Sequence, residues 1–151
     1  IKVFLPKRRM TMYAEFTENL VTGNEMIDSQ HKELIEKING LMKSCETHAE
    51  LAVAVKTLNY LADYTEFHFS AEEKLQEEIE YPGIVEHKKQ HAEFKQAIEE
   101  LHEMLEEQEG PTPAFAEQVN KRVTEWLYKH IQGFDRSVAE YKNMRNNSEL
   151  I

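Results

Sequence analysis

The chain contains one cysteine, five glycines and four prolines among 151 residues, and it lacks any long apolar run. The single cysteine, Cys45, excludes an internal disulfide, and its place on the apolar face of a helical pattern predicts a buried thiol without a chemical role. Few glycines and prolines leave few turns, so the composition favours a small number of long elements. Without a stretch of about 18 apolar residues, no transmembrane helix is predicted.

Negative charge dominates: 28 acidic against 18 basic side chains give a formal net charge of −10. This disfavours nucleic acid and anionic membranes as partners, and no partner protein is indicated. The basic start, residues 1–9, lacks the apolar segment of a signal peptide. We interpret it as an expression remnant or a disordered leader, with Met10 and Met12 as alternative natural starts, and assign residues 10–151 to one domain. With a single thiol, a cytoplasmic protein is expected.

Apolar residues recur at spacings of three and four in four segments, which predicts four amphipathic helices. An irregular lead-in precedes them, with Tyr13 and Phe16 as packing anchors. Short loops between long helices predict an all-α fold, an up-down-up-down antiparallel four-helix bundle. The predicted helices start near Asn24 as N-cap, cover about residues 49–80 and 84–107, and finally run from Pro113, capped by Thr112, to about Met144, followed by a frayed tail.

Each predicted helix carries polar residues on its apolar stripe. His87 and His91 lie four residues apart, one helical turn, so both imidazoles can reach one point in space, as two ligands of one metal ion must. The other helices contribute His31, the pair His68 and Glu72, and the pair His130 and Asp135. Gly133, within the last pair, predicts a bend or a local change of helix pitch just after His130.

The spacing to the connecting loops predicts that these side chains share one layer of the bundle. Counted from the loops at His48, Pro82 and Pro111, the distances are 17 and 20 residues for His31 and His68, 10 and 9 for Glu72 and His91, and 20 and 19 for His91 and His130. A mismatch of three residues is about 5 Å along a helix.

A buried layer of five imidazoles and two carboxylates needs a compensating charge, because unpaired buried ions cost several kcal/mol. Bound divalent metal supplies it, and the number of ligands indicates two ions bridged by the carboxylates. Nitrogen and carboxylate ligands suit iron, with zinc or manganese as alternatives. A neutral hydrogen-bonded cluster is disfavoured, since too many acceptors would compete for too few protons.

With this ordered set of motifs, HxxxE, HxxxH and HxxxxD after a single His, the chain resembles the hemerythrin family, in particular the single-domain bacterial hemerythrins. The match spans 105 of 151 residues, from His31 to Asp135, and no ligand is missing. The resemblance implies two iron ions, linked by an oxo or hydroxo group, with dioxygen bound at the iron that has two histidines. It implies His87, His91 and His130 on one iron, His31 and His68 on the other, and Glu72 and Asp135 as bridges.

The resemblance also implies an oxygen pocket, for which ordinary core packing is the alternative reading of each residue. Its members are Leu34, Phe69, Trp126, Leu127 and Ile131. The implied function is reversible dioxygen binding for delivery, storage or sensing, without catalytic residues. A di-iron enzyme acting on peroxide or nitric oxide, and a metal-stapled sensor module, remain alternatives.

Two histidines, His48 and His102, lie off the predicted layer and are expected at the surface. Glu99 and His102 form a single Glu-x-x-His motif. Ferritin-like di-iron bundles need two such motifs and two further inward glutamates. The sequence therefore disfavours that class.

Overall fold

The computed structural model describes residues 13–150, with side chains described as far as Asn146. These residues contain four long helices and no strand. The predicted leader over residues 1–9 and the alternative starts Met10 and Met12 lie outside the described residues. The helices are α1 (Glu25–Glu46), α2 (Leu51–Glu78), α3 (Ile84–Glu107) and α4, a continuous helix built of the segments Pro113–Val119, Asn120–Glu125, Trp126–His130, Ile131–Asp135 and Arg136–Leu150.

Short loops of four to five residues join consecutive helices, which forces neighbours to run antiparallel. The result is the predicted up-down-up-down four-helix bundle. None of the helices over residues 13–150 combines the length and the apolar character that a bilayer crossing requires. The predicted start of α1 and the predicted bounds of α2 and α3 agree with the structure to within two residues.

Side-chain caps begin α1 and α4 where the sequence predicts. The Asn24 side chain accepts a hydrogen bond of 3.0 Å from the backbone N–H of Ile27. Thr112 accepts an equivalent bond of 3.0 Å from the N–H of Phe115, and Pro113 occupies the first turn, where its missing N–H costs nothing. Both predicted helix starts are confirmed.

The end of α4 differs from the prediction. The helix continues to Leu150, whereas the apolar pattern indicated an end near Met144 and a frayed tail. Arg145 donates hydrogen bonds to the backbone carbonyl of Ile79 and, at 2.9 Å, to the carboxylate of Glu80. The Arg145 side chain thus binds the last turns of α4 to the loop after α2. Apolar periodicity does not reveal this contact.

Hydrogen bonds between the backbone of the lead-in and a side chain of α1 hold the lead-in against the bundle. The N–H of Ala14 donates to the side-chain oxygen of Asn39 at 2.7 Å, and the Asn39 amide donates back to the carbonyl of Ala14 at 2.9 Å. A short 3-10 turn, Glu18–Leu20, follows. Tyr13 and Phe16 are partly buried and pack against the core, as predicted.

Cys45 is half-buried, not buried as the sequence predicted. It lies near the end of α1 and lines a cleft of about 460 Å³ between that end and the start of α4. Burial raises the pKa of its thiol to about 11, against a smaller opposing effect of Ser44. The thiol therefore stays protonated at neutral pH, in keeping with the absence of a predicted chemical role.

Candidate metal centre

All seven predicted ligand side chains lie in the interior of the bundle, and none is more than 2% exposed. Each helix contributes at least one of them, so the layer predicted from loop distances exists. By helix they are His31 from α1, His68 and Glu72 from α2, His87 and His91 from α3, and His130 and Asp135 from α4.

The seven side chains form two groups that share one residue. In each group the potential ligand atoms lie within 4.8 Å of one another. The larger group contains Glu72, His87, His91, His130 and Asp135, and the smaller contains His31, His68 and Asp135. The histidines divide three and two, as the resemblance implies. Of the two carboxylates, Asp135 belongs to both groups and Glu72 to the larger one.

The two oxygens of Asp135 face different groups. Oδ2 lies 2.7 Å from Nε2 of His31, while Oδ1 lies 3.0 Å from Nε2 of His87 and 3.1 Å from Nε2 of His130. Despite these short distances, neither oxygen has a hydrogen-bond partner of suitable angle. The nitrogens and oxygens are close without pointing at one another, which is the arrangement of atoms that face a common third atom.

A change of helix pitch places His130 and Asp135 on the same face of α4. In an α-helix of 3.6 residues per turn, residues five apart point about 140° away from each other. The segment Ile131–Asp135 is instead π-helical, with i→i+5 hydrogen bonds that bring such residues nearly into line. This confirms the change of pitch predicted from Gly133.

Three polar residues outside the predicted set contact the outer nitrogens of the histidines. Nδ1 of His91 lies 2.7 Å from Oε2 of Glu73, and Nδ1 of His68 lies 2.8 Å from Oε1 of Gln30. Nδ1 of His87 lies 3.1 Å from the side-chain nitrogen of Gln76. Sequence reasoning missed these residues. A signal existed, since Gln30 and Glu73 each adjoin a predicted ligand and Gln76 follows Glu72 by one turn.

For His91 and His68, these outer contacts determine which ring nitrogen carries hydrogen. A carboxylate or amide oxygen can only accept, so Nδ1 of His91 and of His68 must donate. The Nε2 lone pair of His91 then faces Oε1 of Glu72 at 3.1 Å. Two electron-rich atoms at this distance repel unless a proton or a metal cation lies between them. The donor set therefore fits bound metal.

Atoms without hydrogen-bond partners support the same conclusion. Within the described residues, six buried atoms of the seven side chains lack one: both ring nitrogens of His31, Nδ1 of His130, Oε2 of Glu72 and both oxygens of Asp135. An unsatisfied buried polar atom costs about 1–3 kcal/mol, more if it is charged. Coordination of metal by the inward-facing atoms among them would remove most of that cost.

The pKa values show how the carboxylates act on the histidines when protons are the only cations. Burial alone lowers the pKa of His87, but the nearby carboxylates of Asp135 and Glu72 raise it to about 9. Burial raises the pKa of Asp135, and the nearby His130 and His31 more than reverse this, holding it well below its usual range. Burial and the neighbouring His31 keep the pKa of His68 well below its ordinary value. A proton at His87 thus competes with metal.

Aromatic and apolar side chains enclose the centre. The rings of Phe69 and His91 stack with centroids 3.7 Å apart, and those of Trp126 and His130 stack at 4.4 Å. Of the five predicted pocket residues, Trp126 is partly exposed, and the other four, Leu34, Phe69, Leu127 and Ile131, are at most 2% exposed. All five belong to the core or pack against it.

The two remaining histidines lie outside the centre, as predicted. His48 is exposed in the loop after α1. His102 is partly exposed on α3, with its Nε2 4.0 Å from the carboxylate of Glu106. Neither belongs to a group of potential ligands.

The amino-acid sequence is similar to a known protein family and to several of its members. The sequence profile of the Hemerythrin HHE cation binding domain matches residues 22–141. A Bacteriohemerythrin of Stenotrophomonas maltophilia (strain R551-3) is 32% identical over 123 residues, covering 82% of this chain and 77% of that protein. A Bacteriohemerythrin of Campylobacter jejuni subsp. jejuni (serotype O:6) is 28% identical over 130 residues, covering 83% and 93%.

The fold also has a counterpart among solved structures. A structure described as wild-type hemerythrin superimposes with a TM-score of 0.66 at 23% sequence identity, covering 76% of this chain and 85% of that one. At this identity the likeness concerns the fold alone.

Proposed function

The chain belongs to the hemerythrin family of non-haem di-iron oxygen-binding proteins, and we propose that it binds dioxygen reversibly through the seven buried side chains described above. The observation that carries the proposal is the Asp135 carboxylate, whose two oxygens face two separate groups of histidines. One carboxylate between two clusters of imidazole nitrogens is suited to joining two cations. Delivery, storage and sensing are all compatible with this activity.

The ligand assignment follows the two groups. His87, His91 and His130 would hold one iron, and His31 and His68 the other. Asp135 would bridge the pair, and Glu72 would join it through Oε2, which has no hydrogen-bond partner in the described structure. When bound, the two irons supply the vacant coordination position and the electrons that dioxygen binding requires.

The unequal number of histidines favours binding at one side. The smaller group offers two imidazoles and a share of Asp135, whereas the larger offers three imidazoles and two carboxylates. A metal ion with fewer protein ligands keeps a position open for a small molecule. We therefore assign the open position to the side of His31 and His68.

The surrounding apolar side chains would keep that position dry. Leu34 lies one turn after His31, and Ile131 and Leu127 lie beside and one turn before His130. All three are at most 2% exposed. Excluding water hinders the proton leakage and the loss of electrons from the oxygen-loaded centre that would make oxygen binding irreversible.

A binding role agrees better with the burial pattern than an enzymatic one. Among the described residues, no carboxylate or histidine other than the seven is fully buried. A further acid or base beside the substrate would speed proton transfer in a di-iron enzyme for peroxide or nitric oxide. The absence of enzymatic activity, the cytoplasmic location and the lack of nucleic-acid, membrane or protein partners stay predictions.

Mixing the reduced protein with oxygen tests the proposal. Purified protein is loaded with iron, its iron content measured, and the reduced form mixed with dioxygen in a stopped-flow instrument. We expect two irons per chain and a stable change of visible absorbance that reverses when oxygen is removed. Rapid decay to the oxidised form, with turnover of peroxide or nitric oxide, would support the enzyme instead.

A matched pair of variants tests the assignment. His68→Ala removes one of the two histidines of the smaller group, and His102→Ala removes a partly exposed histidine of the same size. The first variant should lose the oxygen response and the second should retain it. An unchanged response in both would contradict the assigned site.

A further inference from the structure

Of the five histidines at the centre, one has a carboxylate on its outer nitrogen. Nδ1 of His91 donates to Glu73 at 2.7 Å, whereas His68 and His87 contact the neutral amides of Gln30 and Gln76. We propose that Glu73 is a positioning residue that makes the three-histidine site the tighter of the two metal sites and favours the oxidised state of the iron held there. This inference rests on the proposed di-iron function.

The geometry supports a strong interaction. A bond of 2.7 Å between a ring N–H and a carboxylate is in the range of charge-assisted hydrogen bonds, about twice as strong as neutral ones. The successive residues Glu72 and Glu73 of α2 reach both nitrogens of the same imidazole. Glu72 lies 3.1 Å from Nε2, toward the interior, and Glu73 lies on Nδ1 at the outer edge.

A third residue of α2 fixes the plane of the ring. Phe69, one turn before Glu73, stacks on His91 with an interplanar angle of 7°. The stacked face prevents the imidazole from tilting, and the hydrogen bond to Glu73 prevents it from rotating in its plane. His91 is therefore held in one orientation, with Nε2 directed to the centre, before any metal binds.

The charge of Glu73 distinguishes it from the two glutamines. A carboxylate that accepts from the outer N–H of a metal-bound imidazole makes that imidazole a stronger electron donor. A stronger donor favours the higher charge of oxidised iron. The Glu73 side chain is 25% exposed, so it carries its charge at a smaller desolvation cost than Glu72, which is fully buried. The effect acts on the larger group, which contains His91.

The experiment compares isosteric and truncating variants. Glu73→Gln keeps the shape and an acceptor oxygen but removes the charge, and Glu73→Ala removes the contact. Glu77→Gln is the matched control, because Glu77 lies one turn further along α2 and forms an exposed ion pair with Lys88 at 3.6 Å. Two quantities are measured: Zn²⁺ affinity, by competition with a chelator, and the reduction potential of the iron-loaded protein, by spectroelectrochemical titration.

We expect Glu73→Ala to weaken the tighter Zn²⁺ site by about 10- to 100-fold, the usual effect of removing such a partner. Glu73→Gln should lose less affinity but raise the reduction potential, since it removes charge and keeps the ring in place. Gln30→Glu, which adds the charge to His68, should lower the potential. Glu77→Gln should change neither quantity.

Wild-type affinity and potential in both Glu73 variants would overturn the inference. If Glu73→Ala fails to fold, Glu73→Gln and Gln30→Glu still decide, because each keeps the shape of the side chain and changes its charge. Failure of the proposed function would look different. Wild-type protein that takes up no iron would refute that function together with this inference, whereas two irons with an unaltered Glu73→Gln potential would refute only the role of Glu73.

Discussion

Nε2 of His130 and Oδ1 of Asp135 lie 3.1 Å apart, although the two residues are five positions apart along one helix. The π-helical segment Ile131–Asp135 makes this possible by turning residues five apart toward the same face of the helix. The other oxygen of Asp135 is then free to reach His31 on α1 at 2.7 Å. A local change of pitch in α4 thus joins the two halves of the metal centre.

Gly133 lies within this segment, and its replacement should be tolerated. An added Cβ there would meet no other side chain or neighbouring helix within 4 Å. We expect Gly133→Ala to raise the free energy of unfolding by about 0.5–1 kcal/mol through backbone entropy and to keep its iron. Gly83→Ala should destabilise, because its Cβ would lie 2.8 Å from the Tyr81 ring. Urea unfolding and iron analysis provide the measurement. Iron loss in Gly133→Ala would show that the π segment needs glycine.

Asp135→Asn should reduce iron binding at both sites. The substitution keeps the shape of the side chain but removes its charge and replaces one of the two oxygens that face the two groups. We expect iron content to fall from two to below one per chain. Asp63→Asn, the same change at an exposed position of α2, is the control and should retain two. Loss of a single iron would assign Asp135 to one site and argue against a bridge.

Metal uptake by the apoprotein should depend on pH through His87. Its pKa of about 9 means that both ring nitrogens carry a proton at neutral pH and that the ring is positively charged. A metal ion must displace one of these protons before it can bind. The apparent affinity for Zn²⁺ should therefore rise with pH, by about tenfold per unit below the pKa, and level off above it. Competition titrations between pH 6.5 and 8.5 would measure the slope. A flat profile would contradict the protonated state of His87.

Leu34→Ala and Leu58→Ala separate packing from protection of the centre. Both leucines are buried, at most 1% exposed, and each truncation should cost about 2–5 kcal/mol of stability. Leu34 lies one turn from His31, whereas Leu58 lies ten residues before His68 on α2. We expect the oxygen-loaded protein to oxidise faster in Leu34→Ala and not in Leu58→Ala. The change of visible absorbance with time measures this rate. Equal rates in both variants would assign Leu34 to ordinary core packing.

Local chemistry made much of this protein predictable from its sequence. The starts of α1 and α4 follow from the capping side chains of Asn24 and Thr112, whose hydrogen bonds reach only three residues ahead. The layer of seven polar residues follows from helical rise and short loops, which relate position in sequence to height in the bundle. The division of these residues between two irons remains a prediction.

The tertiary structure decided what depends on helix rotation and on contacts between distant parts of the chain. The pairing of Glu73 with His91 requires α2 and α3 to present particular faces to each other. The extension of α4 to Leu150 depends on Arg145 meeting the loop after α2, 65 residues earlier in the chain. Periodicity shows which face of a helix is buried, but it does not show which side chain of another helix lies opposite, because packing of the whole bundle sets that relation.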